Sequence, residues 1–457
     1  MEKPWLKYYD PHVPQNIEYP QILLQQILDD AADQFPGENA VFFFGGKIKY
    51  RELRDQANQF ARALKGMGFR QGDRLGILLA NMPQTIISAF GALKAGGVAV
   101  FFDPLAEEEE LLRQIKEAEV ENIVAFDLVL RRVDHLFAQT KLKQFIITGV
   151  KDYLPFPRNF LFDLAAKGRG IHVKLARKPN VHPFPEFLLR GRSLSSIAGQ
   201  EPVSPEEIAF IQYTRGTSGP PKGVLLTHKN LVANLLQASA WVGKLEKGKE
   251  VFLSISPIHR TYGMTMGMNL SIYAAAMSIH LPQIEILQAL SSFKKHRPSF
   301  FPAEPAMIER LSTTPDIARH NVSSIKICWS MGNPLPEEAL QNFGKMVGRR
   351  VCVAYGLAEA SPLTHAQPIL GRRKVGSIGI PLPDTDARIV DVPKGAKEMP
   401  VGEEGELIVK GPQVMKGYWN KPEETSRTLR QGWLHTGDMA RMDEDGFFYI
   451  TGKIARK

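Results

Sequence analysis

Tyr213 to Gly223 reads YTRGTSGPPKG, set between a strand-like run, FIQYT, and a helix-like run, NLVANLLQASA. Gly216 and Gly219 let the backbone turn tightly and present its N–H groups. Thr217 and Ser218 add hydroxyl donors, and Lys222 adds a mobile positive charge. Together these suit a polyphosphate. The stretch is not the nucleotide loop G-x-x-x-x-G-K-[ST], because Lys222 is followed by Gly223 and leaves no hydroxyl for magnesium. Taken alone, the same residues also fit an ordinary strand–turn–helix connection. Thr227, His228, Lys229 and Asn230 announce the helix that follows.

Upstream, helix-like and strand-like segments alternate. Leu23 to Phe35 has apolar residues at helical spacing, and Ala40 to Phe44 is a short apolar strand. Tyr50 opens a second helix with Leu53, Ala57, Phe60 and Leu64 on one face. A turn at Gly72–Asp73 leads to the strand RLGILLA, a helix through Ile87 to Ala95, and the strand GGVAVFF. Val124 to Pro185, rich in basic residues and prolines, reads as a surface excursion. Downstream come the strands VFLSIS and IKICWS with the helix ILQALSSFKK, and from Gly376 the texture changes to short strands and turns, with a hairpin turn at Asp445–Gly446. The expected architecture is α/β, with mostly parallel, helix-flanked sheets and a small β-rich subdomain. The expected boundaries are residues 1–205 and 206–370 for two α/β subdomains, 371–451 for the β-rich subdomain, and 452–457 as the start of a hinge.

The composition is that of a globular protein, with 44% hydrophobic and 23% charged residues in 457. The net charge of +9 is spread along the chain without a dense basic block, which argues against nucleic acid and fits anionic ligands. Cys328 and Cys352 sit in apolar runs without ligand spacing and read as buried residues of a reducing compartment. The N-terminus shows no signal pattern. Gly263 to Leu281 contains Asn269, Ser271 and His280 and reads as a buried helix running into a strand, not a membrane span. A cytoplasmic protein is expected, with peripheral membrane contact and homodimerisation left open.

Further motifs follow the glycine-rich loop in order: SPIHRTYG at Ser256 to Gly263, SMGNPL at Ser330 to Leu335, YGLAEASP at Tyr355 to Pro362, GELIVKG and MKGYWNKPEET within Gly405 to Thr425, and WLHTGD at Trp433 to Asp438. With KIKYRELRDQANQFARALKGMGFRQGDRLGILLANMPQ and GALKAGGVAVFFDPL near the start, nearly the whole chain resembles the adenylate-forming enzymes: acyl-CoA synthetases, luciferases and nonribosomal adenylation domains. The overall flavour is most similar to bacterial medium- or long-chain fatty acid–CoA ligases. The resemblance implies the large N-terminal domain of that fold, with two sheets and a distorted barrel, and without the C-terminal lid.

It also implies roles. Thr214, Gly216, Thr217, Ser218, Gly219 and Lys222 would hold ATP phosphates, and Gly332, Asn333 and Pro334 would lie against adenine. Tyr355 would stack on that ring beside Gly356 and Ala358. Asp438 would accept from the ribose hydroxyls, and Lys453 would stand where the family has Arg. His259 would lie beside the substrate carboxylate, and Glu359 would hold Mg2+. Lys222, His259 and Glu359 are therefore the catalytic candidates. The implied reaction joins a carboxylic acid, a fatty acid first and an aryl acid second, to ATP and then to CoA. The chain stops at TGKIARK beside the family's hinge, so a shortened form that turns over poorly alone is expected. Arg215, Met331, Ala358 and Lys453 depart from the family pattern and favour one alternative, a lapsed paralogue that binds nucleotide or acyl groups. A second alternative passes the acyl group to a carrier-protein thiol. Nothing in the sequence favours a luciferase-like oxygenase.

Overall fold

The structure is a computed structural model, and it describes residues 3–162, 178–194, 202–214, 219–281, 285–315, 317–320, 322–332, 335–392, 395 and 397–454, without the side chains of 131–134, 136 and 318. Its architecture is α/β, with two large, mostly parallel sheets and one small antiparallel sheet. The first large sheet has eight strands. Arg74–Leu78 lies between Val98–Phe101 and Asn122–Phe126, all parallel. Ile208–Tyr213 extends it beyond Val98–Phe101, and Gly223–Thr227 returns antiparallel beside Ile208–Tyr213.

The second large sheet has nine strands. Val251–Ser254, Phe300–Ala303, Ile327–Met331 and Val351–Gly356 run parallel through its centre. Beyond Val251–Ser254 it continues through Met277–His280 and the early strand Asn39–Phe43 to the antiparallel edge strand Gly46–Lys49. The small sheet holds Asp386–Val390, Gly405–Lys410, Trp433–Met442 and Phe448–Lys453.

The sheets interleave across the expected division at residue 205. Strands from 208–213, 223–227 and 417–418 belong to the first sheet, while 39–43 and 46–49 join the second. Parallel strands need crossover connections, which free a strand from its sequence neighbours. The reading of Val124 to Pro185 as an excursion is corrected. Asn122–Phe126, Gln144–Thr148 and Val181–Pro183 are parallel strands of the first sheet. Short strands with long connections between them lack the periodicity that sequence reading depends on.

The helix Tyr50–Gly66 buries Leu53, Ala57, Phe60 and Leu64 completely, as its 3.6-residue period requires. The helix Pro83–Lys94 is buried at every residue from Pro83 to Leu93. Asn81 is a buried polar group whose amide is fully used, where an unmade hydrogen bond would cost about 1–3 kcal/mol. Asn81 donates to the Ser256 carbonyl at 2.8 Å and accepts from the Ile258 N–H at 2.8 Å. That amide ties the end of one sheet to the loop carrying His259. From the helix His228–Val242, Asn230 donates to Pro412 and Gln237 to Pro383, joining the large sheets to the β-rich part. Gly263–Asn269 winds as a π-helix and passes through Leu270–Tyr273 towards the strand Met277–His280. Among the described residues, no helix is long and apolar enough to cross a membrane.

Candidate active site

A cleft of about 2000 Å3 opens where the two large sheets meet the small one. Its walls include Thr214, Gly219, Lys222, Gly332, Tyr355, Gly356, Ala358, Glu359, Asp438 and Lys453. Residues separated by more than 200 positions in sequence therefore share one space. Gly216, Thr217, Ser218, Asn333 and Pro334, together with Arg215, lie outside the described residues.

The neck of the glycine-rich loop is closed by two bonds. Thr214 donates its N–H to the Lys222 carbonyl at 3.0 Å, and its hydroxyl accepts from the Lys222 N–H at 3.0 Å. Gly219 has φ +142°, a conformation that L side chains rarely adopt. Gly332, at φ +141°, lies close to Pro305: a Cβ built there would stand 3.0 Å from the Pro305 ring.

On one wall, the Tyr355 phenol donates to Asp438 Oδ2 at 2.5 Å and Lys453 Nζ stands 2.8 Å from Asp438 Oδ1. The pairing is built into the fold, since Asp438 and Lys453 are cross-strand partners. Burial first, then the charge of Asp438, push the Tyr355 phenol well above its ordinary range, so it remains a donor. The Asp438 N–H donates in turn to the Thr436 hydroxyl at 3.1 Å.

Across the cleft, Tyr418 donates to Glu359 Oε1 at 2.6 Å. The Lys222 ammonium lies 4.5 Å from the centre of the Tyr418 ring and 3.3 Å from Glu424 Oε2. A divalent ion bridging phosphates needs only one or two protein carboxylates, the rest of its shell being phosphate and water. Glu359, with one oxygen held by Tyr418, fits that requirement. No cluster of three potential metal ligands occurs among the described residues.

His259 is not on the cleft wall, although Arg260, Thr261 and Tyr262 beside it are. Its Nε2 faces Asp103 at 3.3 Å, with Arg260 3.9 Å from the same carboxylate oxygen. Burial works to raise the Asp103 carboxyl, but His259, the Leu105 N–H and Arg260 outweigh it and bring it to about 2. Met264, Met266 and Met268, in the apolar stretch after His259, are fully buried in the core. Sequence reading missed Asp103, Tyr418 and Glu424. Each lay inside a quoted motif (FFDPL or MKGYWNKPEET), yet no local spacing links them to their partners 59 to 202 positions away.

The chain belongs to the AMP-binding enzyme family, whose pattern matches residues 28–419. Among curated relatives, a long-chain-fatty-acid–CoA ligase of Bacillus subtilis (strain 168) is 42% identical over 99% of this chain and 80% of that protein. A long-chain-fatty-acid–CoA ligase of Salmonella typhimurium is 30% identical over 99% of this chain and 81% of that protein. The crystal structure of ATP-bound MatB from Rhodopseudomonas palustris superposes with a TM-score of 0.79 at 25% identity, covering 94% of this chain and 79% of that one.

Proposed function

We propose that the chain activates a fatty acid with ATP and delivers the acyl group to CoA. The acid's carboxylate oxygen attacks the α-phosphorus of ATP, forming acyl-adenylate and releasing pyrophosphate. The CoA sulfur then attacks the acyl carbon, forming the thioester and releasing AMP. The observation that carries this reading is the carboxylate of Asp438, held by Tyr355 and Lys453 in the same cleft as Lys222 and Glu359. A fixed carboxylate is suited to accept from two vicinal ribose hydroxyls, and a Lys ammonium is suited to polyphosphate. The family match and the acid named in both curated relatives support ATP, CoA and a long acyl chain.

In this reading Tyr355 stacks on adenine, Gly332 gives the backbone room against the same ring, and Thr214, Gly219 and Lys222 hold the phosphates. Glu359 holds Mg2+, which supplies charge neutralisation to the phosphates. The contribution of this chain is alignment and charge clamping, which lower the barrier without covalent work by the protein. His259, whose Nε2 faces the Asp103 carboxylate, is the candidate partner of the acid's carboxylate. A panel of nonhydrolysable acyl-adenylate analogues tests the choice of acid. The dodecanoyl analogue should bind at least about tenfold tighter than the benzoyl one, from the burial of added methylenes. Equal binding would contradict a fatty acid substrate.

A further inference from the structure

The ammonium of Lys222 has an anion of this chain beside it. Glu424 Oε2 stands 3.3 Å away, and the Lys222 side chain is only 18% exposed. Glu424 lies on the helix Pro422–Thr428, which is fixed from several directions. Lys421 pairs with Glu117 at 3.3 Å, Trp419 donates to the Glu117 carbonyl at 2.8 Å, and the Tyr418 N–H donates to Thr425 at 2.9 Å. The carboxylate is therefore presented to the cleft by a braced element, and Glu424 itself lines the wall. An acid in a space suited to polyphosphate repels that ligand and competes with it for the same cation.

We propose that Glu424 is a positioning residue: it serves as a resident counter-anion for Lys222, and the polyphosphate of ATP displaces it on binding. This rests on the reading of the cleft as an ATP site. Lys222 lies over the Tyr418 ring, whose phenol donates to Glu359, and pairs with Glu424. When the triphosphate enters, the Lys222 ammonium changes partner from carboxylate to phosphate, and Glu424 is released towards solvent and Arg427, whose NH1 is 4.0 Å from its other oxygen. The exchange makes part of the binding energy of ATP conditional on its outer phosphates. AMP, which lacks them, gains nothing from it.

The sign of the effect separates this role from simple support. Glu424→Gln should bind ATP about 3- to 10-fold tighter than the parent in calorimetric titration and leave AMP affinity unchanged. Glu424→Asp, which keeps the charge, should stay near the parent. The gain should shrink as salt is raised, because the Glu424 side chain is 39% exposed and its charge is open to screening. A Gln variant with an unchanged unfolding midpoint that binds ATP equally or more weakly would overturn the proposal. Tighter binding of AMP by the same factor would also overturn it. A parent chain that binds neither nucleotide would sink the ATP reading itself, and the role of Glu424 with it; binding of AMP without ATP would sink the displacement alone.

Discussion

Tyr355 and Asp438, 83 positions apart, meet in a 2.5 Å hydrogen bond that joins the nine-stranded sheet to the small antiparallel one. The bond places an aromatic face and a carboxylate side by side, as recognition of a nucleoside requires. Tyr355→Phe keeps the face and removes the donor. Affinity for an adenylate analogue should fall about 3- to 10-fold, the worth of one net hydrogen bond. Tyr355→Ala removes the stack as well and should cost at least about tenfold more. Equal losses in the two variants, measured by calorimetry, would show that the ring does not stack.

Gly356 sits where its strand meets the antiparallel strand Leu363–Ala366. A Cβ added there would stand 1.9 Å from the Pro362 carbonyl oxygen, so the backbone itself must shift. Gly356→Ala should destabilise the chain by about 1–3 kcal/mol and displace Tyr355, its neighbour. Thermal unfolding and nucleotide titration of one preparation should show both effects, whereas an unchanged midpoint would contradict the close approach.

Asp103 carries a predictable pH signature. Burial opposes its ionisation, but His259, Leu105 and Arg260 hold its carboxyl down at about 2 against an ordinary 3.8. A depressed carboxylate gives stability that is fully present above its unfolded value and is lost as pH falls through its folded one. The difference in urea stability between the parent and Asp103→Asn should therefore shrink as pH falls from about 3.8 towards 2. A difference that stays constant through that window would count against a depressed Asp103 carboxyl.

His228 works in the opposite direction. Burial holds its imidazole at about 4, against a weaker raising effect of Glu207, and its Nδ1 accepts the Leu24 N–H at 3.0 Å. The folded chain keeps it neutral while the unfolded chain protonates it below about 6.5, so stability falls as pH drops from about 6.5 to 4. His228→Gln should flatten that loss, by a slope of at most about 1.4 kcal/mol per pH unit. Denaturation midpoints at pH 7, 6, 5 and 4.5 would show it, and identical slopes would contradict a neutral buried His228.

Much of this was legible in the residues. The helix from Tyr50 announces itself because Leu53, Ala57, Phe60 and Leu64 recur at helical spacing, and all four are buried. The change of texture after Gly376 corresponds to the small antiparallel sheet. The parallel strands between 122 and 183 were not legible, because each owes its place to neighbours in space. The interleaving of the two large sheets was hidden for the same reason. In the cleft, Tyr355, Asp438, Lys222 and Glu359 stood out as motif residues, whereas Glu424 and Tyr418, and Asp103 outside its wall, acquire meaning only from partners that folding brings near.

Asp438 is the hub of the proposed nucleotide site, which makes the role of its carboxylate the point to test. Calorimetric titration with a nonhydrolysable dodecanoyl-adenylate analogue, repeated with Asp438→Ala, tests it most directly. The parent should bind clearly and the variant should lose about 10- to 100-fold or more, the worth of hydrogen bonds to a charged acceptor. No binding by a folded parent, or equal binding by the folded variant, would contradict a fatty acyl-adenylate site built on this carboxylate.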